Sequence, residues 1–379
     1  MPSYLRIIIV LDTLELGGAE CQASILARNL KARGCHVEVW GLSPGGPITE
    51  VLDHYNITWR YAQILWRKGM SFEHILSEFG AELRQARPDV LLPYAITPNL
   101  LCALVWRSTG ARLCIWNQCD VHPGGQNPQL EQKAIAQVPL FISNSDHGGQ
   151  FLVDNFGVKQ ELVRVVRNGI EIPVAGMDRA RARQQFNIPK DSLVACMIGN
   201  LNETKDHVTL LQAWRLVVDT LEVDSLAPLL LLAGGDAGMQ TLLQDLVARL
   251  RLEKSVSFLG YVKNIPNLLS AIDLGVFSSH SEGCPNGILE CMAAEKAIAA
   301  TDIPGVREAV GVEGYPYLAA PSNVESLANA IVELFTQPSL RTQLGCVNRK
   351  RIETEFSVAR MCAETMSLIM EHLPARVTT

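Results

Sequence analysis

Two glutamates, Glu282 and Glu290, stand on either side of a turn-forming segment, Gly283-Cys284-Pro285-Asn286-Gly287. The apolar residues that follow recur at helical spacing, so the segment predicts a turn leading into a helix. The first N–H groups of a helix lack partners inside it, and its dipole favours negative charge there. A ligand with phosphates and hydroxyls, such as a nucleotide sugar, could bind the amides and both carboxylates. Helix capping by glutamate and an ordinary Pro-Asn-Gly turn are the structural alternative.

Three further segments place polar or glycine residues after predicted strands. Gly17 and Gly18 open a helix, where adjacent glycines let the backbone approach a ligand closely. Lys205 stands at another helix start, where an ammonium group can neutralise a diphosphate. Asp120 and His122 follow the fourth strand, where polar side chains are expected at the wall of a cleft. A tight turn, a solvated lysine and loop hydrogen bonds are the structural alternatives for the three segments.

Composition narrows the class of protein. The 379 residues fit two domains, and a hydrophobic fraction of 48% with 19% charged residues supports sizeable cores. The net charge of −6 gives no basic surface for nucleic acid, so no nucleic-acid partner is expected. The 10 cysteines form no Cys-x-x-Cys pair and no zinc-finger spacing, which indicates reduced thiols in a reducing compartment and no metal site.

Apolar runs in the sequence are too short for a membrane span, and we expect a cytoplasmic protein. An aromatic and basic stretch, which contains Trp59, Arg60, Trp66, Arg67 and Lys68, could touch an anionic membrane surface. An ordinary loop and helix edge is the alternative. Peripheral contact with the inner face of a membrane therefore stays open at this point.

Short apolar runs alternate with amphipathic stretches along the chain. The runs predict strands at 5–11, 36–41, 89–94, 112–116, 139–142 and 163–166, and again at 193–198, 228–233, 255–258, 274–277, 297–300 and 315–318. Helical patterns lie at 18–32, 71–86, 98–108, 127–136, 146–155, 205–220, 239–250, 286–294, 324–336 and 339–354. Apolar strands that alternate with helices predict a parallel sheet covered on both faces, and ligands bind at the carboxyl ends of its strands.

This α/β pattern appears twice, which predicts two doubly wound, Rossmann-like domains facing across a cleft. Gly and Pro residues interrupt it around 168–178. The predicted domains are an N-terminal domain over 1–172 and a C-terminal domain over 173–355. Residues 356–379 contain a last helix that we expect to pack back on the N-terminal domain.

Five short motifs, taken in order, resemble one family. They are Gly-Gly-Ala-Glu at 17–20, Phe-Ile-Ser-Asn-Ser at 141–145, Val-Val-Arg-Asn-Gly-Ile at 165–170, Val-Ser-Phe-Leu-Gly-Tyr-Val at 256–262, and the Glu-x7-Glu segment at 282–290. The order and spacing of the motifs resemble the retaining glycosyltransferases of the GT-B fold, family 4, also called group 1. The resemblance covers roughly residues 5 to 370.

The resemblance implies roles for the matching residues. Lys205 would contact the donor diphosphate, Glu282 the hydroxyls of the donor sugar, and Glu290 the ribose hydroxyls. Gly17 and Gly18 would close over the diphosphate from the opposite domain. Asp120 and His122 are candidates to orient the acceptor. The remaining donor-binding positions would be Asn200, Gly283, Cys284, Pro285, Asn286, Gly287 and Ile288.

The implied reaction transfers a hexose from a UDP- or GDP-linked sugar to a hydroxyl, with retention of anomeric configuration. The acceptor would be a glycan or lipid-linked glycan of polysaccharide biosynthesis. No metal and no cofactor beyond the donor substrate are expected, because Lys205 and helix amides take the role of a metal. The alternatives are a nucleotide-sugar epimerase or phosphorylase of the same fold, or a non-catalytic nucleotide-sugar-binding protein. A nicotinamide-dependent oxidoreductase would need a glycine fingerprint that this sequence lacks.

Two positions depart from the family pattern. Asn200 stands where many members carry an arginine that gives the diphosphate a second cation, and Arg167 and Arg307 are candidates to replace that cation. Ala294-Glu295-Lys296 stands where many members have Ala-x-Gly-x-Pro, which changes a turn rather than the chemistry.

Overall fold

The computed structural model describes residues 5–62, 71–121, 127–222 and 228–375. It divides the chain into two compact units. The first unit contains the chain up to Gly169 and again from Val358 onward, and the second unit is Ile170–Ser357. The boundaries that the sequence predicted were 172 and 355.

The first unit is built on a parallel sheet whose order is β3-β2-β1-β4-β5-β6-β7 within the described ranges. Its strands β1 to β7 are Arg6–Leu11, His36–Gly41, Thr58–Tyr61, Val90–Pro93, Leu113–Gln118, Leu140–Ser143 and Val163–Val165. Ile7 and Ile9 face one core and Ile8 and Val10 face another, and all four side chains are almost fully buried. Apolar packing on both faces therefore explains why the strand is a continuous apolar run.

The second unit repeats the arrangement with the order β10-β9-β8-β11-β12-β13. Strands β8 to β13 are Leu193–Ile198, Pro228–Ala233, Val256–Gly260, Leu274–Phe277, Ala297–Thr301 and Leu318–Ala319. The order reverses between β8 and β11, as it does between β1 and β4 in the first unit. Loops that follow the strands at such a reversal point diverge and leave a crevice, so the fold itself brings the loops after β8 and β11 together.

The helices cover the faces of the two sheets. In chain order, α1 to α15 are Gly18–Ala32, Ile48–His54, Phe72–Ala86, Ile96–Thr109, Pro128–Ile135, Asp146–Phe156, Arg179–Gln185, His207–Glu222, Gln240–Arg249, Ile265–Ala271, Asn286–Ala293, Pro304–Val310, Val324–Thr336, Pro338–Glu355 and Val358–His372. The last helix, α15, packs against α1 in the first unit, where Arg33 donates to the carbonyl of Cys362 at 2.9 Å. None of the helices in the described ranges combines the length and apolar character needed to cross a bilayer.

The sequence missed five short elements and misplaced one strand. Helices α2, α7, α10 and α12 have seven residues each, and β3 has four, so none shows a hydrophobic period long enough to read. The strand predicted at 315–318 is wrong, because Val312–Tyr317 form a 3-10 turn and β13 begins only at Leu318.

Candidate active site

The structure brings Lys205 and Glu282 together in the second unit. Lys205 ends the loop between β8 and α8, and Glu282 lies in the loop between β11 and α11. Their side chains form an ion pair and are 22% and 12% exposed. The hydroxyl of Ser279 donates to the same carboxyl oxygen of Glu282 at 2.7 Å, and the backbone N–H of Lys205 donates to Asn202 at 3.0 Å. A cation and a carboxylate are thus held in fixed positions and remain open to solvent.

Hydrogen bonds join these two loops directly. The N–H of His280 donates to the carbonyl of Thr204 at 2.9 Å, and the hydroxyl of Ser278 donates to the carbonyl of Asp206 at 2.6 Å. Ser278 and Ser279 were not predicted as site residues. Two serines between an apolar strand and the Glu-x7-Glu segment were the available signal.

The side chain of Asn200, which lies after β8, joins two loops by a hydrogen bond. Its side-chain oxygen accepts the N–H of Gly235 at 3.1 Å, and the N–H of Leu201 donates to the carbonyl of Gly235 at 2.9 Å. A Cβ on Gly234 would lie 2.0 Å from the carbonyl oxygen of Gly199. The two loops therefore meet backbone to backbone, and the Asn200 side chain links them.

Two more glycines set how closely the Glu-x7-Glu segment lies on the sheet. A Cβ on Gly287 would lie 2.3 Å from the carbonyl oxygen of Ile198, so the start of α11 rests on the end of β8. A Cβ on Gly305 would lie 2.3 Å from the carbonyl oxygen of Glu282. Side chains at these positions would push the loop away from Lys205.

Fewer backbone N–H groups of segment 283–288 are available to a ligand than the sequence predicted. Pro285 has no N–H, and the N–H of Ile288 donates to the carbonyl of Pro285 at 3.1 Å. These two residues shape the turn and cannot donate to a ligand through the backbone. At most the N–H groups of Gly283, Cys284, Asn286 and Gly287 can do so.

Glu290 lies in the first turns of α11 and is half-buried. Burial raises the pKa of its carboxyl to about 7. In the described part of the chain no hydrogen-bond donor and no cation contacts this carboxylate. Hydroxyl donors from a ligand would stabilise its ionised form.

His207 directly follows the Lys205 segment and was not predicted as a site residue. Its side chain is 2% exposed, and burial lowers its pKa to about 4. Neither ring nitrogen has a hydrogen-bond partner among the residues that the structure describes. His207 is therefore neutral at physiological pH and adds no second positive charge beside Lys205.

In the first unit, a carboxylate of the protein covers the glycines after β1. Helix α1 begins at Gly18, and a Cβ on Gly17 would lie 2.3 Å from the Glu20 carboxylate. The hydroxyl of Thr13 donates to the same carboxylate at 3.3 Å, and burial raises its pKa. A diphosphate at Gly17 and Gly18 would have to displace this carboxylate, and their donor-binding role stays a prediction.

The two acceptor candidates differ in what the structure describes. Asp120 follows β5, and its carbonyl accepts the side-chain N–H of Gln118 at 2.8 Å. His122 lies outside the described residues. Asn117, near the end of β5, forms a buried pair with Asn99, in which the Asn117 N–H donates to the Asn99 side chain at 3.1 Å.

The candidate replacement cations already have partners. Arg167 pairs with Asp146 at 3.1 Å in the first unit. Arg307 pairs with Asp302, and its guanidinium lies 4.7 Å from the ring centre of Tyr315. Arg307 lies in α12, whose Gly305 packs against the carbonyl of Glu282, so it is the better candidate of the two.

The aromatic and basic stretch is only partly described. Trp59 donates to Asp53 at 2.9 Å, and Arg60 pairs with Glu38 at 3.0 Å. Trp66, Arg67 and Lys68 lie outside the described residues.

Within the described ranges no group of three or more His, Cys, Asp or Glu side chains is placed to hold a metal ion.

Two family models match the chain, one on each half. The model "Glycosyltransferase Family 4" matches residues 16–172, and the model "Glycosyl transferases group 1" matches residues 178–351. The chain belongs to the group 1 glycosyltransferases of family 4, and its two parallel sheets are those of the GT-B fold.

Curated relatives are similar over part of their length. An N-acetylgalactosaminyltransferase of Campylobacter jejuni, named for a diphospho-undecaprenol acceptor, is 26% identical over 53% of this chain and 52% of its own. N-acetyl-alpha-D-glucosaminyl L-malate synthase of Bacillus anthracis is 26% identical over 73% of each chain. The chain spans about half the length of several of the curated relatives it matches, with 51% and 52% in two of them.

Solved structures share the fold over nearly the whole chain. HepE of Anabaena, in complex with UDP and glucose, has a TM-score of 0.83 at 20% identity and covers 97% of this chain and 100% of its own. Sucrose-phosphate synthase of Thermosynechococcus elongatus has a TM-score of 0.79 at 18% identity, with 97% and 98% coverage. At these identities the likeness establishes the fold.

Proposed function

We propose that the protein transfers a hexose from a UDP- or GDP-linked sugar to a hydroxyl of a glycan or lipid-linked glycan. We further propose that the transfer retains anomeric configuration and needs no metal. The observation that carries the proposal is the Lys205–Glu282 ion pair, which stands beside the start of α11 at the carboxyl edge of the second sheet.

Lys205 would exchange its ion-pair partner, Glu282, for the diphosphate when the donor binds. Without a donor, Glu282 neutralises Lys205. A diphosphate carries more charge than one carboxylate and would take over the ammonium group, as phosphates do at lysine-bearing helix starts. Glu282 would then accept hydrogen bonds from the sugar hydroxyls, and Glu290 would accept them from the ribose.

The proposed chemistry uses the donor's own leaving group as base. The acceptor oxygen forms a bond to the anomeric carbon on the face from which the diphosphate departs. The bond from that carbon to the phosphate oxygen breaks, and a phosphate oxygen takes the acceptor proton. Lys205 and the amides before α11 stabilise the charge that develops on the diphosphate, which is a preorganised electrostatic contribution. In this scheme Glu282 accepts hydrogen bonds from Ser279 and from the sugar hydroxyls, and it has no nucleophilic role.

The relatives support the choice of substrates. HepE was solved with UDP and glucose, and the Campylobacter jejuni relative is named for a lipid diphosphate acceptor. We therefore propose UDP-sugars as the first donors to test. A lipid-linked acceptor would place the reaction at the cytoplasmic face of a membrane. In this proposal the second unit, with Lys205 and Glu290, binds the donor, and the first unit, with Asp120, binds the acceptor.

Thermal shift with a nucleotide panel tests donor binding. The purified protein is heated with UDP, GDP, ADP or CMP and with their sugars, in the presence of EDTA. We expect selective stabilisation by one diphosphate family, which is lost in Glu290→Ala, since a ligand that binds only the folded state raises its stability by mass action. Stabilisation that needs a divalent metal would contradict the metal-independent proposal. Glu295 is an exposed glutamate after α11. If Glu295→Ala lost the stabilisation by the nucleotide to the same extent, the role of Glu290 would be contradicted.

Product analysis separates the alternatives. A nucleotide-sugar epimerase would change the donor sugar with no acceptor present, and a phosphorylase would need inorganic phosphate. A binding protein would bind the donor and release no nucleotide diphosphate with any acceptor. The transferase proposal predicts acceptor-dependent release of nucleotide diphosphate and an anomeric proton signal of unchanged configuration in the product.

A further inference from the structure

A group of cations lies in the second unit at the sheet edge opposite the donor loops. Asp273 directly precedes β11 and Lys296 directly precedes β12, so both lie at the amino-terminal edge of the parallel sheet. Arg179 and Arg183 come from α7, and Arg341 comes from α14. These five residues are here named the Asp273 cluster.

Asp273 is saturated by its contacts inside the cluster. Arg179 Nη2 lies 2.6 Å from one carboxyl oxygen, and Arg183 Nη2 lies 3.0 Å from the other. The N–H of Val194 donates to that second oxygen at 2.9 Å. Arg183 is almost fully buried and also donates to the carbonyl of Ala271 at 3.1 Å. Asp273 and Arg183 therefore form the structural base of the cluster.

Lys296 stands on a turn that the fold holds tightly. Its N–H donates to the carbonyl of Cys291 at 3.0 Å, and its carbonyl accepts the side-chain N–H of Asn348 at 2.8 Å. A Cβ on Gly345 would lie 2.2 Å from the carbonyl oxygen of Glu295, so α14 rests directly on this turn. The backbone of Lys296 is therefore fixed before any ligand binds.

The ammonium group of Lys296 has no hydrogen-bond or ion-pair partner within the part of the chain that the structure describes. The residue is half-buried, and burial lowers its pKa, with the positive charge of Arg179 acting in the same direction. A partly desolvated charge without a counterion is costly. The carboxylates of Asp273 and Glu295 act on Lys296 through space without contacting its ammonium group, and the exposed Asp191 acts on Arg183 in the same way.

Arg179 and Arg341 each have guanidinium N–H groups that could donate to a ligand. Arg341 Nη1 donates to the carbonyls of Leu334 and Phe335, in the last turn of α13, at 2.7 and 2.6 Å. Its Nε and Nη2 atoms, and the Nε atom of Arg179, have no partner among the described residues. Both guanidinium groups lie within electrostatic range of each other and of Asp273.

We propose that Lys296, Arg179 and Arg341 bind a phosphate-type oxyanion at a second site, separate from the donor loops. Guanidinium forks match the geometry of phosphate oxygens, and an ammonium group adds a point charge. The anion would contact the Lys296 ammonium group, which Asp273 and Glu295 influence only through space, and it would tie α7 and α14 to the turn before β12. Free orthophosphate and the phosphate headgroup of a lipid share this chemistry.

Thermal shift with orthophosphate at constant ionic strength tests the site. The measurement uses the full chain carrying Lys205→Ala, so that the donor cation does not contribute. We expect a saturable rise of the unfolding temperature, with a Kd that weakens about 10-fold or more when Lys296→Gln is added, because charge-assisted hydrogen bonds are lost. The matched control is Lys254→Gln, an exposed lysine before β10 at the same edge of the sheet, which should leave the Kd unchanged.

Two further measurements keep the proposal falsifiable. If Lys296→Gln does not fold, Arg179→Gln takes its place, and phosphorus NMR line broadening reports binding directly. Co-sedimentation with phosphatidylcholine vesicles, with and without phosphatidic acid, supports a lipid headgroup if only those vesicles bind in a Lys296-dependent way. The proposal would be overturned if phosphate raised the unfolding temperature no more than chloride does and no vesicles were bound. It would also be overturned if Lys254→Gln weakened the Kd for phosphate as much as Lys296→Gln does.

Discussion

At the residue scale, the chemistry rests on three charged side chains with different surroundings. Lys205 and Glu282 neutralise each other, whereas Glu290 is half-buried with neither a cation nor a hydrogen-bond donor in contact within the described ranges. Residue type and spacing pointed to all three. The sequence could not show that Lys205 and Glu282 touch, because that contact depends on how β8 and β11 adjoin in the sheet. Nor could it show that Asn200 is used to join two loops.

The pKa of Glu290 makes donor binding depend on pH. The ribose hydroxyls donate best to the ionised carboxylate, and a free-protein pKa of about 7 leaves Glu290 mostly protonated at pH 6. We therefore expect the Kd for a UDP-sugar to tighten about tenfold from pH 6 to pH 8. Calorimetric titration with the intact sugar nucleotide is the measurement, since a free nucleoside diphosphate titrates in the same range.

Glu290→Gln is the matched control for this pH dependence. The amide keeps the shape of the side chain and does not titrate, so its Kd should be weaker than that of the ionised wild type and flat across the range. A wild-type Kd that does not change with pH, or the same slope in Glu290→Gln, would show that another group is responsible.

At the element scale, glycines decide how closely the loops of the second unit pack. Gly234 and Gly235 directly follow β9. An added Cβ would lie 2.0 Å from a backbone oxygen at Gly234, but 3.7 Å from the Asn200 side chain at Gly235. Gly234→Ala should therefore destabilise the protein by about 2 kcal/mol or more and weaken donor binding, since backbone must move. Gly235→Ala should change stability by less than about 1 kcal/mol.

Chemical denaturation of both variants measures this difference. The two substitutions add the same methyl group at neighbouring positions, so they have nearly the same effect on the unfolded chain. Equal stability of the two variants would mean that the close approach of the β8 and β9 loops is not what Gly234 serves.

At the scale of the whole molecule, long periodic elements could be predicted and short ones could not. The sequence placed α1 and α13 at their observed bounds, because their apolar stripes span three or more turns. It missed α12, which has seven residues and carries the Gly305 contact that supports Glu282. Strand order is also invisible in a sequence, although the reversal between β8 and β11 is what assembles the site.

Glu290 also links the stability of the folded chain to pH. Its folded pKa of about 7 lies above the unfolded value of about 4.5, so the protonated form is favoured by folding, and stability falls as pH rises between these values. Glu290→Gln removes that cost. We expect the variant to be more stable than the wild type by about 1 to 3 kcal/mol at pH 8 and similar to it at pH 4.

Urea unfolding at the two pH values is the measurement. Glu295→Gln is an appropriate control, because that glutamate is exposed and follows the same helix. A gain in stability that is equal at both pH values would contradict a raised pKa of Glu290.

The turnover rate of Lys205→Ala tests whether Lys205 stabilises the negative charge that develops on a departing diphosphate. With the donor that the nucleotide panel identifies and an acceptor that the wild type glycosylates, we predict that kcat falls about 100-fold or more, the effect of losing one preorganised charge-stabilising donor. Lys254→Ala should keep the wild-type kcat. A Lys205→Ala variant that folds, binds the donor and turns over at nearly the wild-type rate would contradict the account.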